Sequence, residues 1–127
     1  MDTKKKIRVL VADDHPTFRE GLSLLLKDEP DMEVIGQAAD GEEAIKLAKE
    51  LCPDVAIIDV IMPKLGGIEA AQHIKEVCPD VAIIMISAYD YESYLLASLR
   101  AGAVGYLVKD APTQDLVNAV RLVHGGE

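Results

Sequence analysis

The chain has 127 residues, half of them hydrophobic and 28% charged, with 22 acidic against 13 basic residues and a formal net charge of −9. A domain of this size buries about two-thirds of the surface its unfolded chain exposes, so a core forms without metal or disulfide staples, and the composition excludes a disordered chain. The acidic excess repels phosphate backbones and anionic lipids, which excludes this segment as a nucleic-acid or membrane binder on its own.

At the N-terminus Lys4-Lys5-Lys6 precedes the apolar run Ile7–Ala12, which Asp13-Asp14 ends too early for a signal peptide. No stretch reaches the length of a membrane span, so a soluble, cytoplasmic protein is expected. Ile7–Ala12 reads as the first strand, and Pro16 suits the first turn of a helix whose apolar stripe is Phe18, Leu22, Leu25 and Leu26. Met32–Ala38 is a more mixed run and reads as an edge strand. Ala44, Ile45, Ala48 and Leu51 mark a second helix, Val55–Val60 a third strand, and Ile68, Ala71 and Ile74 a third helix. Val81–Ile86 is the fourth strand. The stripe Leu95, Leu96 and Leu99 marks a fourth helix that Gly102 stops. Val104–Val108 follows as the fifth strand, and Pro112 opens a fifth helix carrying Leu116, Ala119, Val120 and Val123.

Five strand–helix units in alternation predict a doubly wound α/β domain: a five-stranded parallel sheet with right-handed crossovers and helices on both faces, in one domain over residues 1–127. The first, third, fourth and fifth runs are almost continuously apolar, as strands covered on both faces are. Cys52-Pro53-Asp54-Val55-Ala56-Ile57-Ile58 is echoed from Cys78 to Ile84, a shift of 78 − 52 = 26 residues, and reads as one connection used twice. Cys52 and Cys78 sit ahead of neighbouring strands, but they read as small residues in a reducing compartment, without disulfide or zinc.

In open parallel sheets functional groups gather outside the carboxyl ends of the strands. Here Asp13-Asp14 follow the first strand, Asp59 ends the third, Ser87 the fourth and Lys109 the fifth. Each has an ordinary explanation alone: Asp14 as a helix cap, Asp59 as a turn acid, Ser87 as a loop hydroxyl, Lys109 as a solvated charge. Together they place three carboxylates, a hydroxyl and an ammonium along one rim. Three clustered carboxylates repel unless a cation or lysine offsets them, and an all-oxygen site suits Mg²⁺ or Mn²⁺. A carboxylate in such a site can attack phosphorus and form an aspartyl phosphate, whose oxygens metal and lysine neutralise.

These residues carry a resemblance. Val9-Leu10-Val11-Ala12-Asp13-Asp14, Asp59-Val60-Ile61-Met62-Pro63 with Gly67, Ser87-Ala88 and Tyr106-Leu107-Val108-Lys109 stand in the order of a response-regulator receiver domain. Asp13-Asp14-His15-Pro16, Gly105 to Asp110 and the ending Val120 to Gly126 are similar to receivers of the NarL/LuxR type. The resemblance implies strand order 2-1-3-4-5 and a phosphoryl group accepted by Asp59 from a phosphohistidine on a sensor kinase. It also implies Mg²⁺ on Asp14, Asp59 and the Ile61 carbonyl, with Asp13 reaching it through water. Ser87 and Lys109 would bind phosphoryl oxygens, Ala88 would leave room for them, and Tyr106 would change rotamer as Ser87 moves. The implied output is a shift of the face formed by the fourth helix, fifth strand and fifth helix, controlling a helix-turn-helix effector domain beyond these residues, with homodimerisation on phosphorylation. Asp110 follows Lys109 where many receivers have proline, and Gly66-Gly67 replace the common Asp-Gly. Ile61 and Tyr89 stand where side chains that help the attacking water are found, and neither can orient one, so slow self-dephosphorylation is expected.

The other conspicuous residues read as structural. His73 is expected in solvent and His15 at a helix start, while Tyr89, Tyr91 and Tyr94 are expected to pack partly into the core. Two competing functions are weaker. A haloacid-dehalogenase-type phosphohydrolase requires a second acid two residues beyond its nucleophile, where this chain has Ile61. A flavodoxin-like carrier requires a phosphate loop where this chain has Asp13-Asp14. A stand-alone receiver acting by protein contact is the remaining alternative.

Overall fold

The computed structural model describes residues 6–125. Five strands, β1 (Ile7–Ala12), β2 (Met32–Ala38), β3 (Val55–Asp59), β4 (Ala82–Ser87) and β5 (Gly105–Val108), alternate with five helices. These are α1 (Pro16–Lys27), α2 (Gly41–Leu51), α3 (Gly67–Val77), α4 (Glu92–Arg100) and α5 (Thr113–His124). All strand pairs are parallel, in the order β2-β1-β3-β4-β5.

Side-chain alternation along the central strands builds two cores. Val9, Val11, Val55, Ile57, Ile84 and Ile86 face α1 and α5, meeting Leu22, Leu26, Leu116, Val117 and Val120. Leu10, Ala56, Ile58, Ile83 and Met85 face the other way, onto Ala44, Ala48, Ala71 and Ile74. Burial on both faces explains the unbroken apolar runs of β1, β3 and β4. β5 carries an equally apolar run but is half-buried along its length, because it is the second edge strand.

Helix ends follow local chemistry. Pro16 occupies the first turn of α1, the Asp40 carboxylate caps α2 by accepting from Glu43 N, and Gly102, at φ +102°, reverses the chain after α4. Pro112 stands one residue before α5, at the capping position.

Three expectations are corrected. In α4 the residue turned fully inward is Ser98, with Tyr94 against the core, while Leu95, Leu96 and Leu99 are 38, 45 and 51% exposed. A helical period identifies a stripe but not which stripe faces in. In α1, Leu25 is likewise 42% exposed. The repeated Cys-Pro-Asp-Val segments are not equivalent: β3 and β4 pair Val55 with Ala82, a shift of 27 rather than 26, so Val55 and Val81 enter opposite cores. Among the described residues no helix is long and apolar enough to cross a membrane.

Candidate functional site

The carboxyl ends of β1, β3, β4 and β5 meet at one rim, as the sequence predicts. Asp59 is the last residue of β3 and is almost fully buried; Asp13 follows β1 and is completely buried; Asp14, next to it, is half-buried. Lys109 follows β5 and crosses to the middle strands. Its Nζ lies 2.9 Å from Asp59 Oδ2 and 2.8 Å from Asp13 Oδ2, so one ammonium bridges two buried carboxylates. The Phe18 ring lies 4.8 Å from that nitrogen and covers it.

These contacts set the charges. Burial, with the Asp13 charge added, pushes the Asp59 carboxyl up to about 6 against the opposing Lys109 bond. For Asp13 burial also favours the proton, but bonds from Lys109 and His15 outweigh it and hold the carboxyl below its ordinary value. Lys109 is likewise held protonated by its two carboxylates despite burial. The outcome is a stably charged lysine, an ionised Asp13 and a basic Asp59.

The chain around Asp59 is fixed by close backbone contacts. Gly67 N donates to Val60 O at 2.8 Å, and a Cβ on Gly67 would fall 1.8 Å from the Asp59 carbonyl oxygen. Only glycine lets the start of α3 approach the acceptor strand so closely. Ile61 N donates to Asp59 Oδ1 at 3.3 Å, while the Ile61 side chain is half in solvent.

Ser87 is the last residue of β4 and is buried. Its hydroxyl is turned into its own loop, accepting from Tyr89 N at 3.0 Å, and its carbonyl accepts from Lys109 N at 2.7 Å. Tyr106 is half-buried on β5, and its hydroxyl donates to the Tyr89 carbonyl at 2.9 Å. Ser87, Tyr89, Tyr106 and Lys109 therefore form one hydrogen-bonded strip. Asp14, Asp59, Ile61, Ala88 and Lys109 line a cleft of about 240 Å³ together with His15 and Tyr89.

Sequence reasoning underrated three residues. His15 caps α1 by position but makes no side-chain cap bond; its Nδ1 instead lies 3.0 Å from Asp13 Oδ1, 3.3 Å from Asp14 Oδ1 and 3.1 Å from Lys109 Nζ. A ring nitrogen either donates to the acids or accepts from the lysine, so these contacts exclude one another. Arg19 donates to the Asp13 carbonyl at 2.8 Å, and Phe18 shields Lys109. The signal was their place in the first turn of α1, directly behind the acid pair. Tyr89 and Tyr91 do not enter the core: they are about half exposed and stack on each other, rings 5.1 Å apart, whereas Tyr94 packs inward. His73 is solvent-exposed beside Glu76, as expected.

The donor set fits a hard divalent cation. Ligand atoms of Asp13, Asp14, His15 and Asp59 all lie within 4.8 Å of one another. Asp14 Oδ1 is buried with no well-formed hydrogen bond, its nearest polar neighbour being the His15 ring at 3.3 Å, and a buried carboxylate oxygen so weakly met is one that a cation would satisfy.

Comparison with known proteins agrees with this fold. Residues 9–121 match the response regulator receiver domain. The chain is 45% identical to the transcriptional regulatory protein YxjL of Bacillus subtilis over 98% of its own length and 57% of that protein. It is 40% identical to the transcriptional regulatory protein DegU of Brevibacillus brevis over 97% of its length and 52% of that protein. It thus spans about half the length of these curated relatives. A solved signal receiver domain of the response regulator NarL from Mycobacterium tuberculosis superposes with a TM-score of 0.92 at 36% identity, covering 97% of this chain and 99% of that one. The chain belongs to the response regulator receiver domain family.

Proposed function

We propose that Asp59 accepts a phosphoryl group from a sensor-kinase phosphohistidine and that the acidic rim holds Mg²⁺ for the transfer. The observation that carries this reading is the meeting of Asp13 and Asp14 after β1, Asp59 at the end of β3 and Lys109 after β5, with the lysine bridging Asp13 and Asp59 beside a small open cleft. Asp14, Asp59 and the Ile61 carbonyl would hold the cation, with Asp13 behind water; Mn²⁺ is an acceptable substitute. When bound, the cation neutralises charge on the oxygens of the transferring group.

The chain's own residues do the rest. Asp59 is basic enough to be a good nucleophile and is ionised above about pH 6. Its attack on phosphorus forms the acyl phosphate as the bond to the donor breaks. Lys109 is held charged within reach of Asp59, where it can pair with a phosphoryl oxygen. Ser87 gives up the Tyr89 N–H to donate its own proton to another oxygen, and Ala88 leaves the room. That movement reaches the Tyr89 carbonyl and hence Tyr106, which carries the change to α4, β5 and α5. The domain is a phosphorylation switch rather than a turnover enzyme. Its output would be an effector DNA-binding domain beyond residue 127, with pairing of two phosphorylated copies. The setting is the cytoplasm.

Neither Ile61 nor Tyr89 at the cleft mouth offers a carboxylate or amide to orient water, so the phosphoryl group should survive for minutes or longer; a lifetime of seconds would count against this. The direct test is intact-mass spectrometry after incubation with Mg²⁺ and acetyl phosphate. One phosphoryl adduct is expected, lost with chelator and in Asp59→Ala. If neither that adduct nor Mg²⁺-dependent beryllofluoride binding appears, the reading fails and the domain is an interaction module.

A further inference from the structure

At the amino end of the sheet, opposite the acidic rim, a second pair of reactive groups takes no part in phosphoryl chemistry. Cys52 closes α2 and Cys78 closes α3; β3 and β4 start a few residues later, side by side. The two sulfurs are 3.0 Å apart and unbonded, with Cys52 exposed and Cys78 only 6% exposed. A disulfide bond is about 2.05 Å long, so closing the gap requires a movement of only about 1 Å.

The pair is built asymmetrically. Cys52 sits in the left-handed region at φ 44°, and Arg8 fixes that turn by donating to the carbonyls of Leu51 and Cys52 at 2.7 and 2.8 Å. Cys78 is held from below by its contact with the Ala48 carbonyl at 3.2 Å. Burial and the neighbouring sulfur push the Cys78 thiol up to about 11, so it stays protonated until a partner draws it out. A cleft of about 510 Å³, with both cysteines, Pro53, Val81 and His124 in its walls, admits small molecules to the pair.

We propose that Cys52 and Cys78 form a reversible redox pair, oxidised to an intramolecular disulfide by hydrogen peroxide. Cys52 attacks one peroxide oxygen as its thiolate; the O–O bond breaks and hydroxide leaves, giving a sulfenic acid. Cys78 sulfur then attacks Cys52 Sγ. The S–S bond forms, the S–O bond breaks, and the departing hydroxyl takes the Cys78 proton as water. Two electrons pass to the peroxide, so two thiols and one peroxide give one disulfide and two waters. In a reducing compartment an accessible bond of this kind is transient and signals oxidant rather than maintaining the fold. It would tie the end of α2 to the end of α3 around β3 and α3, a cross-link independent of whether Asp59 is phosphorylated.

The test is peroxide treatment of the fully reduced chain, denaturation with N-ethylmaleimide, and intact-mass measurement with peptide mapping. The expected product has lost two hydrogens, carries no maleimide, yields a Cys52–Cys78 cross-linked peptide and returns to two maleimides after dithiothreitol. Its thermal midpoint should lie about 5–10 °C above that of the reduced chain. Cys52→Ser and the gentler core variant Cys78→Ala should each lose the cross-link, while the wild-type product can be read without either. Two maleimides after peroxide, a sulfinic acid on Cys52 without cross-linking, or bonds only between chains would each overturn the proposal. The mass change needs no Mg²⁺ or phosphodonor, so it fails or succeeds apart from the phosphorylation assay.

Discussion

The middle of the sheet and its β5 edge are built to opposite standards. β1, β3 and β4 bury nearly every side chain under helices on both faces, and they supply Asp13 and Asp59. The α4–β5 quarter is thin. β5 is half-buried, α4 buries only Ser98 completely with Tyr94 packed beside it, and Leu95, Leu96, Leu99, Tyr89 and Tyr91 lie largely open to solvent. The difference teaches where a switch can live. The reacting carboxylate needs a fixed position, whereas the response needs a region that rearranges for a few kcal/mol. Ser87, Tyr89, Tyr106 and Lys109 form the seam between the two.

Perturbing each side should expose that contrast. The largest effect is expected at the fixed side. Gly67→Ala drives a Cβ to 1.8 Å from the Asp59 carbonyl, and should cost on the order of 4 kcal/mol in denaturant unfolding and abolish phosphorylation in whatever fraction still folds. Ile57→Ala, in the completely buried centre of β3, should cost about 3 kcal/mol by the same measurement.

Asp59→Asn should act in the reverse direction. Between its ordinary value of 3.8 and about 6 the folded carboxyl keeps a proton that the unfolded chain releases, so wild-type stability falls as pH rises through that window. The amide escapes this loss. Without divalent cations the variant should be about 1–3 kcal/mol more stable than wild type at neutral pH, the gain vanishing below about pH 3.8. A constant difference across pH would break the account of a strained, buried acceptor. Saturating Mg²⁺ should narrow the gap by stabilising wild type alone.

At the thin edge the effects should be small. Ser98 Oγ is buried with no hydrogen-bond partner, so Ser98→Ala should be neutral or stabilising by up to about 1 kcal/mol. Leu99→Ala, half in solvent, should change stability by less than about 0.5 kcal/mol. If Leu99→Ala cost as much as Ile57→Ala, the edge would be as tightly packed as the middle and the contrast would be wrong.

The same contrast decides what was legible in the amino-acid sequence. Strands buried on both faces declare themselves as apolar runs, and the charged residue ending each run is then easy to see; Asp59 and Lys109 were found in that way. The orientation of α4 was not legible, because its leucines and its small residues both recur at helical spacing and only tertiary packing chooses between them. The apolar run of β5 read like a strand covered on both faces, because apolarity alone does not record whether a neighbour lies beyond it; its edge position came only with the strand order that the resemblance implies. His15 looked like a helix-start residue and is one, but which way its ring turns depends on acids from two strands and a lysine 94 residues away. The distance between Cys52 and Cys78 followed from the adjacency of β3 and β4, whereas the one-residue offset between their segments did not.

The central claim is that phosphorylation of the fixed middle is expressed in the thin edge, and amide hydrogen exchange tests it most directly. Exchange would be followed by mass spectrometry in the unmodified chain and in the acetyl-phosphate-treated chain with Mg²⁺, with Asp59→Ala treated identically. The account predicts altered exchange in the segment after Ser87, α4, β5 and the segment after Val108, unchanged exchange in β1 and β3, and no response in Asp59→Ala. A change spread evenly through the sheet, or one that persists in Asp59→Ala, would contradict it.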